Sequence, residues 1–123
     1  MKRLNFFPHY KAVLENKSKT TTFRLPDREK DFEEGEKVLL TVGWHESQGF
    51  EKVHPAIIER VYEKKVSELE PNDFEGESRD CLTRDAVPLV LSAIYRRVVG
   101  PEDIIRIIKF KHASAERSKA ARA

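Results

Sequence analysis

Only one cysteine, Cys81, occurs in the 123 residues, so no internal disulfide can form. That economy points to a reducing, cytoplasmic setting. No apolar run nears the roughly 20 residues a membrane span needs, and the first residues lack the apolar core of a signal peptide. A cytoplasmic protein with no membrane partner is therefore expected. The four histidines, His9, His45, His54 and His112, show no ligand spacing, and Cys81 has no partner. This argues against a metal site, and no cofactor is expected. Glycine is scarce as well. Gly43 and Gly49 stand alone in turns, nothing resembles a phosphate-cradling loop, and Ser92 lacks a GxSxG elbow and reads as packing. An excess of one charge is also missing, with 23 Lys and Arg against 21 Asp and Glu, a net +2. A near-neutral chain is not a bulk polycation. DNA is not expected as a partner, and any RNA contact needs a local basic patch.

The chain is nevertheless well supplied for folding, with 39% hydrophobic and 9% aromatic residues. Chains of this length bury about two thirds of their unfolded surface, enough for a core without staples. The 36% charged fraction fits a heavily solvated surface. With no internal repeat or dividing linker, one domain over residues 1–112 is expected, followed by a basic, flexible tail over 113–123. The predicted assembly is a monomer or weak dimer.

Leu4, Phe6 and Phe7 predict a first strand. Pro8 suits the first turn of a helix, and Tyr10, Val13 and Leu14 form its buried stripe. Asn16 can end that helix in the left-handed conformation. Thr20 to Leu25 reads as a strand, with Phe23 and Leu25 on the core face. Val38, Leu40 and Val42 mark another strand, and Ala56 to Tyr62 a longer one whose Pro55 suggests an edge or a kink. Pro71 can start one helical turn in the acidic stretch Glu70–Asp80. Asp85 can cap a helix carrying Val87, Val90, Leu91 and Ile94, with Val98 continuing the contact. Ile104 to Phe110 reads as a last strand, buried on much of both faces. Close strands without regular helical crossovers predict an α+β fold, a small curled mixed sheet or β-barrel with flanking helices.

The stretch Leu14–Leu25, LENKSKTTTFRL, concentrates chemistry at a helix end, a polar turn and a strand. It offers an amine (Lys19), three hydroxyls (Thr20, Thr21, Thr22) and a guanidinium (Arg24). Lys19, Arg24 and the threonines could hold a phosphate or base edges, and Tyr10, Trp44 or Phe50 could supply a stacking surface. A solvated turn lysine beside threonines chosen for strand propensity is the bland alternative. Strict alternation sets Lys19 and Thr22 on opposite faces, so the turn before Thr20 must twist Lys19 round if the two are to meet.

Phe6-Phe7, the helix after them, Lys19-x-x-Thr22-x-Arg24 and Glu34-Gly35-Glu36-x-Val38 resemble the ASCH domain of the PUA-like superfamily. The likeness continues through Ala56–Tyr62, the acidic Ser67–Glu77 segment and Ile104–Phe110. The resemblance implies a small β-barrel with flanking helices and an RNA- or nucleoside-binding module whose polar cleft takes a nucleotide ligand. Some small members of the family remove the acetyl group of N4-acetylcytidine with a lysine, a threonine and a glutamate. Carried over, these are Lys19, Thr22 and Glu77, with Glu70 and Glu75 as neighbouring alternatives for the carboxylate. Arg24, Thr20, Trp44 and Tyr10 would then contact ligand. One departure is visible, because Lys17 stands where the family usually has glycine. On this reading Thr22 is a nucleophile, Lys19 a base or an oxyanion-stabilising cation, and Glu77 orients Lys19 or relays its proton.

Overall fold

The computed structural model describes residues 1–28, 31–44, 48–79 and 82–113. His45, Cys81 and the basic segment Arg117–Arg122 lie outside them. Among the described residues, five strands make one mixed sheet, and two short α-helices flank it. In chain order these are β1 (Lys2–Phe6), α1 (Lys11–Glu15), β2 (Thr21–Arg24), β3 (Lys37–Val42), β4 (Glu51–Lys65), α2 (Ala86–Tyr95) and β5 (Ile104–His112). Across the sheet the order is β1-β3-β4-β5-β2. Only β1 and β3 run parallel; the other three pairs are antiparallel. Among the described residues, no helix is long and apolar enough to cross a membrane.

The sheet curls because its ladders slip twice, between Leu39 and Thr41 and between Ile58 and Arg60. Such bulges bend a strand and increase its twist. The Glu34-Gly35-Glu36 turn braces the second slip. Gly35 N–H donates to the Ile58 carbonyl (2.7 Å), Ile58 N–H to the Glu36 carbonyl (2.9 Å), and Val61 N–H to Glu34 Oε2 (3.0 Å). The result is a half-barrel with β1 and β2 as its two unpaired edges.

Each face of the sheet has its own core. Leu4, Phe6, Tyr10, Leu14, Leu40, Ile58, Ile108 and Phe110 pack on one side. Phe23, Leu25, Leu69, Val87, Leu91, Ile105 and Ile107 pack on the other. Strand β5 contributes to both, as its apolar run predicts.

Several expectations are corrected by local physics. Asn16 keeps right-handed helical angles, and Lys17 takes the left-handed conformation at φ 67°. Asn16 instead accepts the Ser18 N–H on its Oδ1 (2.9 Å), closing a side-chain turn. The strand expected from Ala56 starts at Glu51, and Pro55 lies inside this central strand. It is tolerated because it pairs with Leu39 at the slip, where the ladder is already broken. Asp85 does not cap α2 with its side chain. Thr83 does, accepting Ala86 N–H on its Oγ1 (3.2 Å) and on its carbonyl (3.1 Å). Arg96 ends α2 in the left-handed conformation. The chain therefore turns there, leaving Val98 92% exposed and burying Val99 instead. Ser92 does more than pack, since its Oγ accepts the Val99 N–H (3.0 Å) and holds that turn.

Candidate functional site in the seam of the half-barrel

A cavity of about 400 Å³ occupies the seam between the two edge strands. Strand β1 and the residue after it supply Asn5, Phe6 and Phe7; β2 supplies Thr22, Phe23 and Arg24; α2 supplies Val90, Leu91, Ile94 and Tyr95. Lys19, Glu77 and Tyr10 complete its polar end. A volume of this order is typical of a small-molecule site.

The turn after α1 places Lys19. Lys17 N–H donates to the Leu14 carbonyl (3.1 Å) and Lys19 N–H to the Val13 carbonyl (3.0 Å), so the chain doubles back on the helix before β2 begins. Strand alternation does not govern Lys19, which precedes the ladder, and it reaches the same cavity as Thr22. Its ammonium lies 5.0 Å from the Tyr10 ring centre and 5.7 Å from that of Phe6. It forms an ion pair with the Glu77 carboxylate, the two side chains being only 3% and 4% exposed. Desolvating two charges costs several kcal/mol, offset only by good geometry and further hydrogen bonds. Glu77 gains one such bond, its Oε1 accepting the Ser78 N–H (2.7 Å).

Glu77 is 58 residues from Lys19, and a docked turn delivers it. The Gly76 carbonyl accepts both the Thr20 N–H (2.7 Å) and the Thr21 N–H (3.1 Å). Gly76 has φ +83°, and a Cβ there would lie 1.9 Å from Thr20 Oγ1. Only glycine permits this approach. Thr21 Oγ1 donates to the Glu75 carbonyl (2.5 Å). Lys109 Nζ donates to Thr21 Oγ1 (3.1 Å) and the Asn72 carbonyl (3.1 Å), tying the acidic segment to β2.

Arg24 spans the seam. Its Nη2 donates to the Asn5 carbonyl of β1 (2.8 Å), its Nε to Thr22 Oγ1 (3.0 Å), and its guanidinium lies 4.8 Å from the Phe6 ring centre. Thr22 Oγ1 is thereby fixed as an acceptor beside a permanent cation. Behind Lys19, the buried ring of His112 touches the Lys19 carbonyl through Nε2 (2.7 Å), and His54 Nε2 meets its Nδ1 (2.7 Å). A carbonyl can only accept, so His112 Nε2 carries the proton and Nδ1 accepts from His54. Burial pushes the His112 ring below the usual histidine range, and the Lys17 charge adds to this against the opposing bond to Lys19.

The sequence-predicted residues divide. Lys19, Thr22, Arg24, Tyr10 and Glu77 share the cavity. Thr20 does not; its hydroxyl faces Gly76, and the residue borders a separate depression with Thr21 and Lys109. Trp44 is also outside the cavity lining, 61% exposed, with its ring 4.8 Å from that of Phe7. Phe50 and Arg3 do line the cavity, the guanidinium 4.7 Å from the ring centre. Asn5 and Tyr95 were not singled out from sequence. A polar residue alternating with Leu4 and Phe6, and a hydroxyl at the end of the α2 apolar stripe, were the available signals.

No sequence-family model and no curated protein matches this chain. Solved structures do. Protein EF3133 from Enterococcus faecalis V583, described as DUF984, superposes with a TM-score of 0.64 at 12% identity, over 92% of this chain and 80% of that one. The ASCH domain from Lactobacillus crispatus JV V101 superposes with a TM-score of 0.59 at 10% identity, over 90% and 79% of the two chains.

Proposed function

We propose that this chain, which has the ASCH fold, binds a single nucleoside in the seam cavity, free or at an unpaired position of RNA. The observation that carries the reading is the buried Lys19–Glu77 pair at one end of a cavity whose other walls combine rings and aliphatic side chains with Arg3, Asn5, Thr22 and Arg24. A buried ion pair is a poor source of stability. It is a good orienting device for a ligand with an apolar face and a polar edge. Tyr10 and Phe6 flank the ammonium and offer a nucleobase its stacking surface. Calorimetric titration with cytidine and N4-acetylcytidine tests the reading. Saturable binding that disappears in Lys19→Met/Glu77→Leu is expected, and no heat from either ligand refutes it.

A second reading, removal of the acetyl group of N4-acetylcytidine, is favoured by one further observation. Thr22 Oγ1 accepts a hydrogen bond from Arg24, and Lys19 and Glu77 line the same cavity. Thr22 Oγ1 would attack the acetyl carbonyl while Lys19 stabilises the oxyanion. The hydroxyl proton would pass through the Lys19–Glu77 pair to the departing amine as the C–N bond breaks. Water would then hydrolyse the acetyl-threonine ester, releasing acetate. Acetate release by the wild type, its retention in Thr22→Ser and its loss in Thr22→Ala are the expected outcomes. Binding without turnover leaves only the first reading.

A further inference from the structure

Among the described residues, strand β2 lies at the edge of the sheet and pairs only with β5. In an antiparallel ladder, alternate residues turn both peptide groups to the same side. The Phe110 N–H donates to the Thr20 carbonyl (2.9 Å), and Thr22 and Arg24 share its parity, so these residues face β5. Thr21, Phe23 and Leu25 therefore turn their peptide groups toward the seam. Two of the three N–H groups are capped from within the chain. Thr21 N–H donates to the Gly76 carbonyl (3.1 Å), and Leu25 N–H to the Tyr95 hydroxyl (3.3 Å). Between them lies Phe23, whose ring packs against Phe74 in the second core (5.4 Å between centres) while the residue lines the cavity.

We infer that the peptide N–H and C=O of Phe23 read the ligand's base edge, the ligand standing in for one residue of the missing neighbouring strand. The ligand class is a planar ring bearing an acceptor next to a donor, such as the N3 and N4 edge of cytosine. The caps at Thr21 and Leu25 limit the exposed edge to about one residue, and Arg24 already joins the strands through the Asn5 carbonyl. A single ring fits that opening, and an extended peptide adding as a strand does not. A buried peptide group at a cavity wall also demands a hydrogen-bond partner. This inference rests on the nucleoside reading above and adds which atoms recognise the base.

The test is amide NMR on the ¹⁵N-labelled full chain, titrated with cytidine and with 3-deazacytidine, which replaces the ring acceptor by C–H. With cytidine, the Phe23 amide proton should move downfield and its exchange with deuterium should slow by about tenfold or more, the worth of one added hydrogen bond. With 3-deazacytidine, affinity should fall by about tenfold and the Phe23 shift should vanish. If cytidine moves the Lys19 and Thr22 amides but not Phe23, this inference fails and the nucleoside reading survives. If cytidine moves no amide around the cavity, both fail. A short extended peptide that shifts Phe23 when cytidine does not would overturn the ligand class.

Discussion

Gly76→Ala tests how the site is assembled. At φ +83° an alanine incurs about 1–2 kcal/mol of left-handed backbone cost. The new Cβ would meet Thr20 Oγ1 at 1.9 Å, Thr20 Cβ at 3.2 Å and Thr20 N at 3.3 Å. Rotating the hydroxyl relieves only the first contact, so the turn must also retreat from β2. That retreat stretches the two hydrogen bonds that the Gly76 carbonyl accepts, and overpacking of this kind costs about 1–3 kcal/mol. The sum is about 2–5 kcal/mol, or roughly 6–25 °C in melting temperature for a chain of this size. Because Glu77 is the next residue, ligand affinity should fall further than stability alone explains. Thermal melts and cytidine titrations of Gly76→Ala, Thr20→Ala and the double variant check this. The double variant should regain the part due to the Oγ1 contact and keep the backbone part. A Gly76→Ala protein melting within a degree of the wild type would refute the docked-turn account.

Lys19→Met or Glu77→Gln alone should cost about 3–5 kcal/mol by stranding a buried charge. Lys19→Met/Glu77→Leu should recover most of that in denaturant melts while ligand binding stays lost. Lys17→Gly should stabilise the chain by roughly 0.5–1 kcal/mol, since glycine takes the left-handed angles that lysine resists but carries a larger unfolded-state entropy; an unchanged or lower melting temperature would contradict this. His112 should make stability depend on pH. Its folded pKa lies below its unfolded value near 6.5, so its contribution is complete above that value and declines as the pH falls below it. Melts between pH 7.5 and 5 should show this decline, and His112→Gln should flatten it.

The strands with a strong apolar pattern were legible in the sequence. Val38, Leu40 and Val42 are buried in β3 and the β5 run feeds both cores, as their patterns imply, although Thr41 is buried as well. The cavity residues Lys19, Thr22, Arg24, Tyr10 and Glu77 could be named because they lie in one dense polar stretch or match a family pattern. What stayed hidden depends on distant partners. The start of β4 was masked by Pro55, whose place in a central strand is allowed only by a slip against Leu39. Thr20 looked like a ligand group because its hydroxyl's true neighbour, Gly76, is far along the chain. Trp44 suggested stacking on a base, but the ring it meets is Phe7. No local pattern reports that β1 and β2 stop short of each other, and that gap creates the cavity.

The pairing of β2 with β5 also bears on when the pocket comes into existence. Thr21 and Lys109 are 88 positions apart, and among the described residues β2 has no other strand to lean on. Contacts so remote in sequence are entropically slow to close. On a ribosome, the lysine–threonine segment would emerge early and wait, with the pocket taking shape only after the final strand has left the exit tunnel. A nascent chain halted before Ile104 would carry every cavity-lining side chain yet have no pocket to offer.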